Sequence, residues 1–182
     1  MKILLSEEEL RAGVEKMSSQ IDQAYAGKPL TIIGVLTGSV VLLADTIRLL
    51  SMPLRVGVVQ AASYDGACRG ELRINSDLMP DISGHDVLLI DDIFDTGHTL
   101  KKLVDQMKSL SPTSLRTAVL MRKSGRQEVE FDVDFIAFDI PDEFVVGYGL
   151  DFNDEYRNLP YLATLAPEDV APGDLGSDGI QQ

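Results

Sequence analysis

The order of apolar and polar segments along the chain predicts an α/β fold, with a mostly parallel central sheet flanked by helices. Two observations lead to this prediction. Short apolar runs alternate with longer segments of helical periodicity, as in right-handed strand–helix–strand units. The strand-like runs are apolar at almost every position, as in strands that are covered on both faces. Because ligands of such sheets bind beyond the carboxyl ends of the strands, we expect the functional residues in the loops that follow them.

The predicted strands are apolar runs bounded by turn residues, at residues 30–36, 54–60, 86–90, 114–121, 133–138 and 145–148. The predicted helices cover residues 6–24, 40–50 and 97–110. Ser6 followed by Glu9 has the form of a capping box at the start of the first helix, and Ser111-Pro112 ends the third. Residues 61–73 (AASYDGACRGELR) are small and polar, which predicts a flexible loop.

Composition narrows the class of protein. The chain has 182 residues, 45% hydrophobic and 25% charged, which is ordinary for a globular protein. A formal net charge of −13 argues against a nucleic-acid partner, which requires clustered Lys and Arg. No apolar stretch is long enough to span a bilayer, and the N-terminus turns acidic too soon for a secretory signal. We expect a cytoplasmic protein, with one domain over residues 1–165 and an acidic, flexible tail over residues 166–182.

The segment LLIDDIFDTGHTL (residues 88–100) combines two binding devices in one loop. Asp91 and Asp92 follow an apolar run, and carboxylates are acceptors that suit sugar hydroxyls or a divalent metal. The DTGHT stretch (residues 95–99) predicts a turn into a helix, where free N–H groups and the helix dipole favour an anion. Together the two parts predict a cradle for a ribose 5-phosphate. The alternative is a plain Asp-rich helix cap, and the two leading acids weigh against it.

This segment resembles the motif that binds 5-phosphoribosyl diphosphate (PRPP) in type I phosphoribosyltransferases: four apolar residues, two acids, two apolar residues, then D-T-G-x-T. Four further segments are similar to the bacterial hypoxanthine-guanine branch of that family in order and spacing: ILLSEEEL (3–10), GVLTGSVVLLADTIR (34–48), ASYDG (62–66) and FDIPDEFVVGYGLDFNDEYRNLPYLATL (138–165). The last is the most specific. The resemblance covers roughly residues 3–165 and implies the type I phosphoribosyltransferase fold, with a small hood formed by the N- and C-terminal segments.

The resemblance implies roles for the residues of this loop. Asp91 and Asp92 would contact the ribose hydroxyls of PRPP, with Mg²⁺ nearby; the family more often has Glu at the first position. Asp95 would also contact PRPP, and it would be the general base near N7 of the purine. The 5′-phosphate would be held by Thr96, Gly97, the backbone of His98, and Thr99.

The resemblance also implies a purine pocket made of Lys123, Phe144, Val145 and Asp151. Lys123, 21 residues before Phe144, would donate to the purine O6. Its ammonium has donors only, which fits a 6-oxo purine and not the amino group of adenine. Phe144 would stack on the base and Val145 would bind it through its backbone. Asp151 would in addition bind a second Mg²⁺ with diphosphate.

Three more segments are implied to face the diphosphate. Arg157 would contact it, and Ser63 and Tyr64 would belong to a flexible loop that closes over the reacting centre and excludes water. Thr37 and Gly38 occupy the loop that meets diphosphate in the family. The family commonly has a lysine at the position of Thr37, so this loop lacks a charge; the Thr37 hydroxyl and the N–H groups of the next two residues could still bind an oxygen.

The implied activity is purine salvage: displacement at C1′ of PRPP by purine N9, with Mg²⁺, which converts hypoxanthine and guanine to IMP and GMP. Three alternatives stay open. A xanthine- or guanine-preferring transferase would differ in a few pocket contacts. An RNA-binding regulator on the same fold would need a basic face, and an inactive binding module would not need the full set of acids and Lys123. The resemblance implies PRPP and a 6-oxo purine as partners, no nucleic acid or membrane, and a homo-oligomer, dimer or tetramer.

Overall fold

The computed structural model describes residues 1–63 and 72–165. Along the chain the elements are β1 (Lys2–Leu5), α1 (Glu7–Tyr25), β2 (Leu30–Leu36), α2 (Val40–Leu49), β3 (Leu54–Ser63), β4 (Leu72–Asn75), β5 (Asp86–Phe94), α3 (His98–Lys108), β6 (Ser114–Lys123), β7 (Phe135–Ile140), β8 (Val145–Val146) and β9 (Leu162–Thr164). Among these described residues, no helix is both long enough and apolar enough to cross a membrane.

The central sheet has the strand order β4-β3-β2-β5-β6-β7. The strands β3, β2, β5, β6 and β7 run parallel, and β4 pairs antiparallel with β3 at one edge. This arrangement confirms the predicted α/β fold with its mostly parallel sheet. Strand β5 pairs with both β2 and β6, so the loops after these three strands lie side by side at one edge of the sheet.

Helices cover both faces of this sheet, and the alternation of side chains along each strand divides the core in two. Ile32 and Leu88 pack with residues of α1 and α2, whereas Ile33 and Leu89 pack with residues of α3. Since each face needs apolar residues, the strands read as continuous apolar runs. At Gly34 of β2 the absence of a side chain lets α2 approach closely, because a Cβ there would lie 2.7 Å from a methyl group of Leu43.

The capping box predicted for α1 is confirmed. The Glu9 N–H donates to the Ser6 hydroxyl oxygen at 3.3 Å, and the Ser6 N–H donates to the Glu9 carboxylate at 2.8 Å. The hydrogen bond from the Ser6 backbone, followed by the one from its hydroxyl, lowers the pKa of Glu9. The two hydrogen bonds of the capping box satisfy N–H groups that a helix start otherwise leaves without partners.

A smaller antiparallel sheet in the order β1-β9-β8 joins the first and last described segments of the chain. It is the hood that belongs to the predicted fold. Its turn after β8 is tied to the main body, since the Tyr148 hydroxyl donates to the Asp45 carboxylate of α2 at 2.6 Å. Tyr148 is buried and has a positive φ of 51°.

Several predicted boundaries were wrong. Three short strands, β1, β4 and β9, were not predicted, and β5 and β6 run past the predicted ends at residues 90 and 121. The loop predicted over residues 61–73 is shorter, because residues 61–63 belong to β3 and residues 72–73 to β4. Pairing between these two strands holds their residues in an extended conformation, although the local composition favours a loop. The rest of that loop, with Tyr64, and the tail over residues 166–182 lie outside the described residues.

We expect Tyr148→Phe to lower the free energy of unfolding by about 1.5 kcal/mol, because a hydrogen bond to a carboxylate is lost while the ring packing stays. Asp45 is 41% exposed, so water can replace the lost donor. The loss of stability therefore stays at the low end of the range for hydrogen bonds to charged groups. Urea unfolding measures it.

Tyr161→Phe is the matched control, since it removes a hydroxyl from a partly exposed ring; its effect should stay within about 0.5 kcal/mol. Equal losses in the two variants would show that the Tyr148 hydroxyl does not fasten the turn.

Candidate active site

The carboxyl edge of the sheet carries an acidic pair inside a strand. Because β5 continues to Phe94, Asp91 and Asp92 belong to the strand and do not follow it as predicted. Asp91 lies opposite Val119 of β6 and is 7% exposed, whereas Asp92 is partly buried. The Asp91 carboxylate accepts the Asp92 N–H at 3.0 Å, and the Asp92 carboxylate accepts the Ile93 N–H at 2.9 Å. Backbone bonds thus fix both side chains.

The electrostatics of this pair favour a cation. Burial, and then the charge of Asp92, raise the pKa of Asp91 well above its ordinary value. Burial also raises the pKa of Asp92, while hydrogen bonds and the positive charge of Arg157 act in the opposite direction. Two neighbouring carboxylates in a poorly hydrated site repel each other, and an added positive charge relieves that repulsion.

Gly38 and Gly149 bring the loop after β2 into contact with the acidic pair. A Cβ at Gly38 would overlap a carboxylate oxygen of Asp92, at 1.6 Å, and a Cβ at Gly149 would lie 2.2 Å from the Gly38 carbonyl oxygen. Gly149 also has a φ of +103°, which favours glycine. Only residues without a side chain allow the three segments to approach this closely.

The loop after β2 presents Thr37, whose side chain is exposed and whose peptide bond with Leu36 is cis. One expectation for this loop is corrected. The Ser39 N–H, expected to be available for an oxygen, donates to the Val35 carbonyl at 3.4 Å, and the Ser39 hydroxyl donates to the same carbonyl at 2.6 Å. Ser39 therefore stabilises the loop from inside.

Arg157 joins the loop after β8 to this acidic region. Its guanidinium contacts the Asp151 carboxylate at 2.8 Å and donates to the Gly149 carbonyl at 2.9 Å. Its charge also reaches Asp92, where it favours the ionised form. The contacts from Asp92 through the two glycines to Arg157 and Asp151 form one group, which we call the Asp91–Asp92 cluster.

The start of α3 forms the next part of the site. Gly97 is its N-cap residue, with a φ of +88°, and no side chain caps the helix there. Glu128, in the segment after β6, is bound to this loop twice: its N–H donates to the Thr96 carbonyl at 3.0 Å, and its carboxylate pairs with the His98 ring at 3.1 Å. Thr99 is exposed. The side chains of His98 and Thr99 are therefore exposed at the helix start, while the hydrogen bond from Glu128 to Thr96 holds the backbone of the loop.

A second group of charges, the Asp95 cluster, surrounds the last acid of the loop. Lys123 at the end of β6 contacts one Asp95 oxygen at 3.2 Å, and Arg126 contacts the other at 2.9 Å. Asp142, before β8, lies 3.7 Å from Lys123 and 3.6 Å from Arg126. Asp95 and Lys123 are nearly enclosed, with side chains 9% and 10% exposed. The hydrogen bond with Asp95 raises the pKa of Arg126.

The remaining predicted pocket residues follow Asp142. Phe144 is partly buried and meets Phe152 edge to face, with ring centroids 5.5 Å apart. Val145 is buried in β8 opposite Thr164. Ser63 ends β3, and nothing is described of its side chain or of Tyr64.

Three residues of the site were not predicted from the sequence: Arg126, Asp142 and Gly149. Arg126 comes three residues after the end of β6 and Asp142 two residues after the end of β7, so both follow parallel strands of the large sheet at the carboxyl edge. That position was a usable signal. Gly149 stood in a quoted motif, but its contact with Gly38 depends on the tertiary fold.

Within residues 1–63 and 72–165, no three or more His, Cys, Asp or Glu side chains gather in a way that could hold a metal alone. The paired carboxylates of Asp91 and Asp92 nevertheless fit Mg²⁺, which keeps several waters and takes further oxygens from a phosphorylated ligand.

Known proteins resemble this chain in sequence and in fold. Residues 2–153 match the phosphoribosyl transferase domain family. The hypoxanthine-guanine phosphoribosyltransferase of Staphylococcus aureus is 38% identical over 169 residues, which cover 92% of this chain and 94% of the relative. A crystal structure of the Bacillus anthracis hypoxanthine-guanine phosphoribosyltransferase, with HEPES in its active site, superposes with a TM-score of 0.86 at 34% identity, over 91% of this chain and 99% of that one.

A Trypanosoma cruzi hypoxanthine phosphoribosyl transferase is similar as well. Its structure superposes with a TM-score of 0.87 at 36% identity and covers 92% of each chain. That structure comes from work on the role of the C-terminal region in oligomeric state and enzymatic activity.

The raised pKa of Asp91 predicts a stability effect with a definite sign. A carboxyl whose folded pKa lies above its unfolded value, about 3.9, favours folding below that value and loses this contribution as pH rises through the folded pKa. We therefore expect Asp91→Asn to be more stable than the unaltered protein at pH 7, without ligand or metal, and nearly equal at pH 4. Its amide oxygen can still accept the Asp92 N–H.

Urea unfolding at both pH values, without divalent ions, measures the difference, and Asp132→Asn at an exposed position is the control. The expected sign would be contradicted if the stability of Asp91→Asn, measured relative to the unaltered protein, were lower at pH 7 than at pH 4.

Proposed function

This chain belongs to the phosphoribosyltransferase family, and we propose that it is a purine salvage enzyme that transfers the phosphoribosyl group of PRPP to hypoxanthine and guanine. The observation that supports this proposal is the contact of Asp95. This acid follows the Asp91–Asp92 pair in the same segment of the chain, and its carboxylate contacts Lys123, whose donors suit a 6-oxo group. One loop thereby faces both a sugar phosphate and a purine.

In this proposal the loop from β5 to α3 binds the sugar phosphate. Asp91 and Asp92 accept the ribose hydroxyls, either directly or through Mg²⁺. The 5′-phosphate is held by residues at the start of α3, where free N–H groups and the helix dipole favour an anion: Thr96, Gly97, His98 and Thr99. The exposed hydroxyl of Thr99 adds a donor.

The purine lies between the Asp95 cluster and the segment before β8. Lys123 donates to the purine O6, and Asp95 accepts the proton of the base. Phe144 covers the ring, since its partly buried position and its contact with Phe152 fix the plane of its own ring. Val145 contributes its backbone. Asp142 lies 3.7 Å from Lys123, so this segment borders the lysine.

The diphosphate lies on the side of the Asp91–Asp92 cluster. Arg157 supplies a positive charge, and Thr37 and Gly38 supply a hydroxyl and an N–H. Asp91 and Asp92, and on a second site Asp151, would hold Mg²⁺, which would neutralise charge on the leaving diphosphate. Ser63 and Tyr64 belong, in this proposal, to the segment that excludes water during the reaction.

The reaction is a single displacement. The N9 lone pair forms a bond with C1′, the bond from C1′ to the diphosphate oxygen breaks, and its electrons leave with diphosphate. The N7 proton passes to Asp95 and then to solvent. Positive charge that develops on the ribose is stabilised by the carboxylates of Asp91 and Asp92.

We propose in addition that the protein acts in the cytoplasm as a homo-oligomer, dimer or tetramer. Work on oligomeric state in the related Trypanosoma cruzi enzyme supports the second part. Light scattering of the purified chain tests it, and a monomer at micromolar concentration would contradict it.

The activity itself is tested by steady-state assays with PRPP, Mg²⁺ and one purine at a time. Hypoxanthine should yield inosine monophosphate, followed by absorbance, and guanine should yield guanosine monophosphate. Turnover of xanthine alone would favour the xanthine-preferring alternative. No turnover with any of the three would remove the enzyme proposal.

Two substitutions separate the two halves of the site. Asp95→Asn should lower kcat by about 10²-fold or more, the usual contribution of a general base, with a small change in KM for PRPP. Lys123→Ala should raise KM for hypoxanthine at least about tenfold, because a buried acceptor loses its donor. Lys102→Ala, on the exposed side of α3, is the control for loss of a lysine. An equal rise in KM for PRPP would contradict the assignment of Lys123 to the base.

A further inference from the structure

We propose that Arg126 is a positioning residue of the reacting centre. It holds the Asp95 carboxylate in place while Lys123 leaves that carboxylate for the 6-oxo group of the purine. The inference deepens the proposed function and rests on it. It assigns a role to a residue for which the family resemblance gave none.

The two oxygens of Asp95 have different partners. Oδ1 accepts the Arg126 Nε–H at 2.9 Å, and Oδ2 accepts the Lys123 ammonium at 3.2 Å. Oδ2 therefore has the longer hydrogen bond, and its partner, Lys123, is the residue that also donates to the purine in the proposed function. A purine N–H that donates to Oδ2 takes the place of the ammonium, and Lys123 can then direct its donors to the purine oxygen. Oδ1 stays with Arg126 throughout.

Without Arg126 this exchange would be unfavourable. The Asp95 side chain is only 9% exposed, so water cannot readily replace a lost cation, and a buried carboxylate with no charged partner is strongly destabilised. Lys123 would then remain on Asp95 and be withheld from the purine. A guanidinium suits the permanent partner, because it stays protonated and its donors have fixed geometry.

The backbone places Arg126 independently of any ligand. Two residues before it, the Ser124 N–H donates to the Ile140 carbonyl at 2.9 Å; two residues after it, the Glu128 N–H donates to the Thr96 carbonyl at 3.0 Å. The second bond reaches the residue next to Asp95. Arg126 is thus fixed to the same loop whose carboxylate it contacts.

Asp142 balances the charge of this arrangement. Its carboxylate lies 3.6 Å from Arg126 and 3.7 Å from Lys123, beyond the length of a good hydrogen bond, and it is half exposed. Two cations and two carboxylates leave the cluster formally neutral. Asp142 therefore favours both cations near the pocket without a short bond to either, which leaves Lys123 free to move.

The test compares Arg126→Met, which keeps the apolar side chain as far as the position of Nε without its charge, with Arg122→Met. Arg122 lies in β6, four residues before Arg126, and pairs with the exposed Asp139 at 2.6 Å, so its loss removes a similar ion pair that does not involve Asp95. We expect Arg126→Met to lower kcat/KM for hypoxanthine by about tenfold, short of the roughly 10²-fold or more that loss of the general base itself would cause, with KM for PRPP unchanged within about twofold. Arg122→Met should match the unaltered enzyme. Arg126→Lys should recover part of the loss, since it restores the positive charge without the fixed donor geometry of a guanidinium.

A double-mutant cycle decides whether Arg126 acts through Asp95. In an Asp95→Asn background, Arg126→Met should change kcat/KM by no more than about twofold, because the two residues act as one unit. A further tenfold loss there, no loss in the single variant, or no recovery with Arg126→Lys would each overturn the inference. If Arg126→Met does not fold, by circular dichroism, Arg126→Gln takes its place in the cycle. Inactivity of the unaltered protein would instead contradict the proposed function.

Discussion

The enclosure of β5 between β2 and β6 is the constraint on which the site depends. The side chains of residues 87–90 have no exposed surface, and the strand is paired on both edges. A shift of register would turn each apolar side chain to the wrong face and break two ladders at once. The carboxylates that follow are consequently held where water is scarce. The raised pKa of Asp91 is the electrostatic consequence, and the packing of the strand sustains it.

The charge distribution explains how an acidic protein can bind an anionic substrate. The cations of the site are not free: Arg157 contacts Asp151, and Lys123 and Arg126 contact Asp95. In the proposed mechanism, ligand binding exchanges the partners of cations that are already oriented, so little reorganisation is required. The net charge of −13 describes the whole surface and says little about this edge of the sheet.

Sequence reasoning was reliable where the relevant forces are local or repeat along a segment. The apolar strand runs, the capping box at Ser6 and the turn into α3 follow from neighbouring residues. The extent of β5 did not, because acids at residues 91 and 92 disfavour a strand and only pairing with β6 retains them in it. Arg126 lies 31 residues from Asp95 in sequence. No periodicity links them, since their contact exists only after β5 and β6 are side by side.

Strand β1 has its pairing partner at the far end of the described chain. The Thr164 hydroxyl donates to the Lys2 carbonyl across 162 residues of sequence, and strand β8, the other neighbour of β9, also comes late. A ribosome therefore releases the first strand long before the last one exists. Closure of so long a loop is entropically unfavourable until the central sheet has brought the ends together. The hood is thus the last part to assemble, and a growing chain carries its α/β core without the cover that completes it.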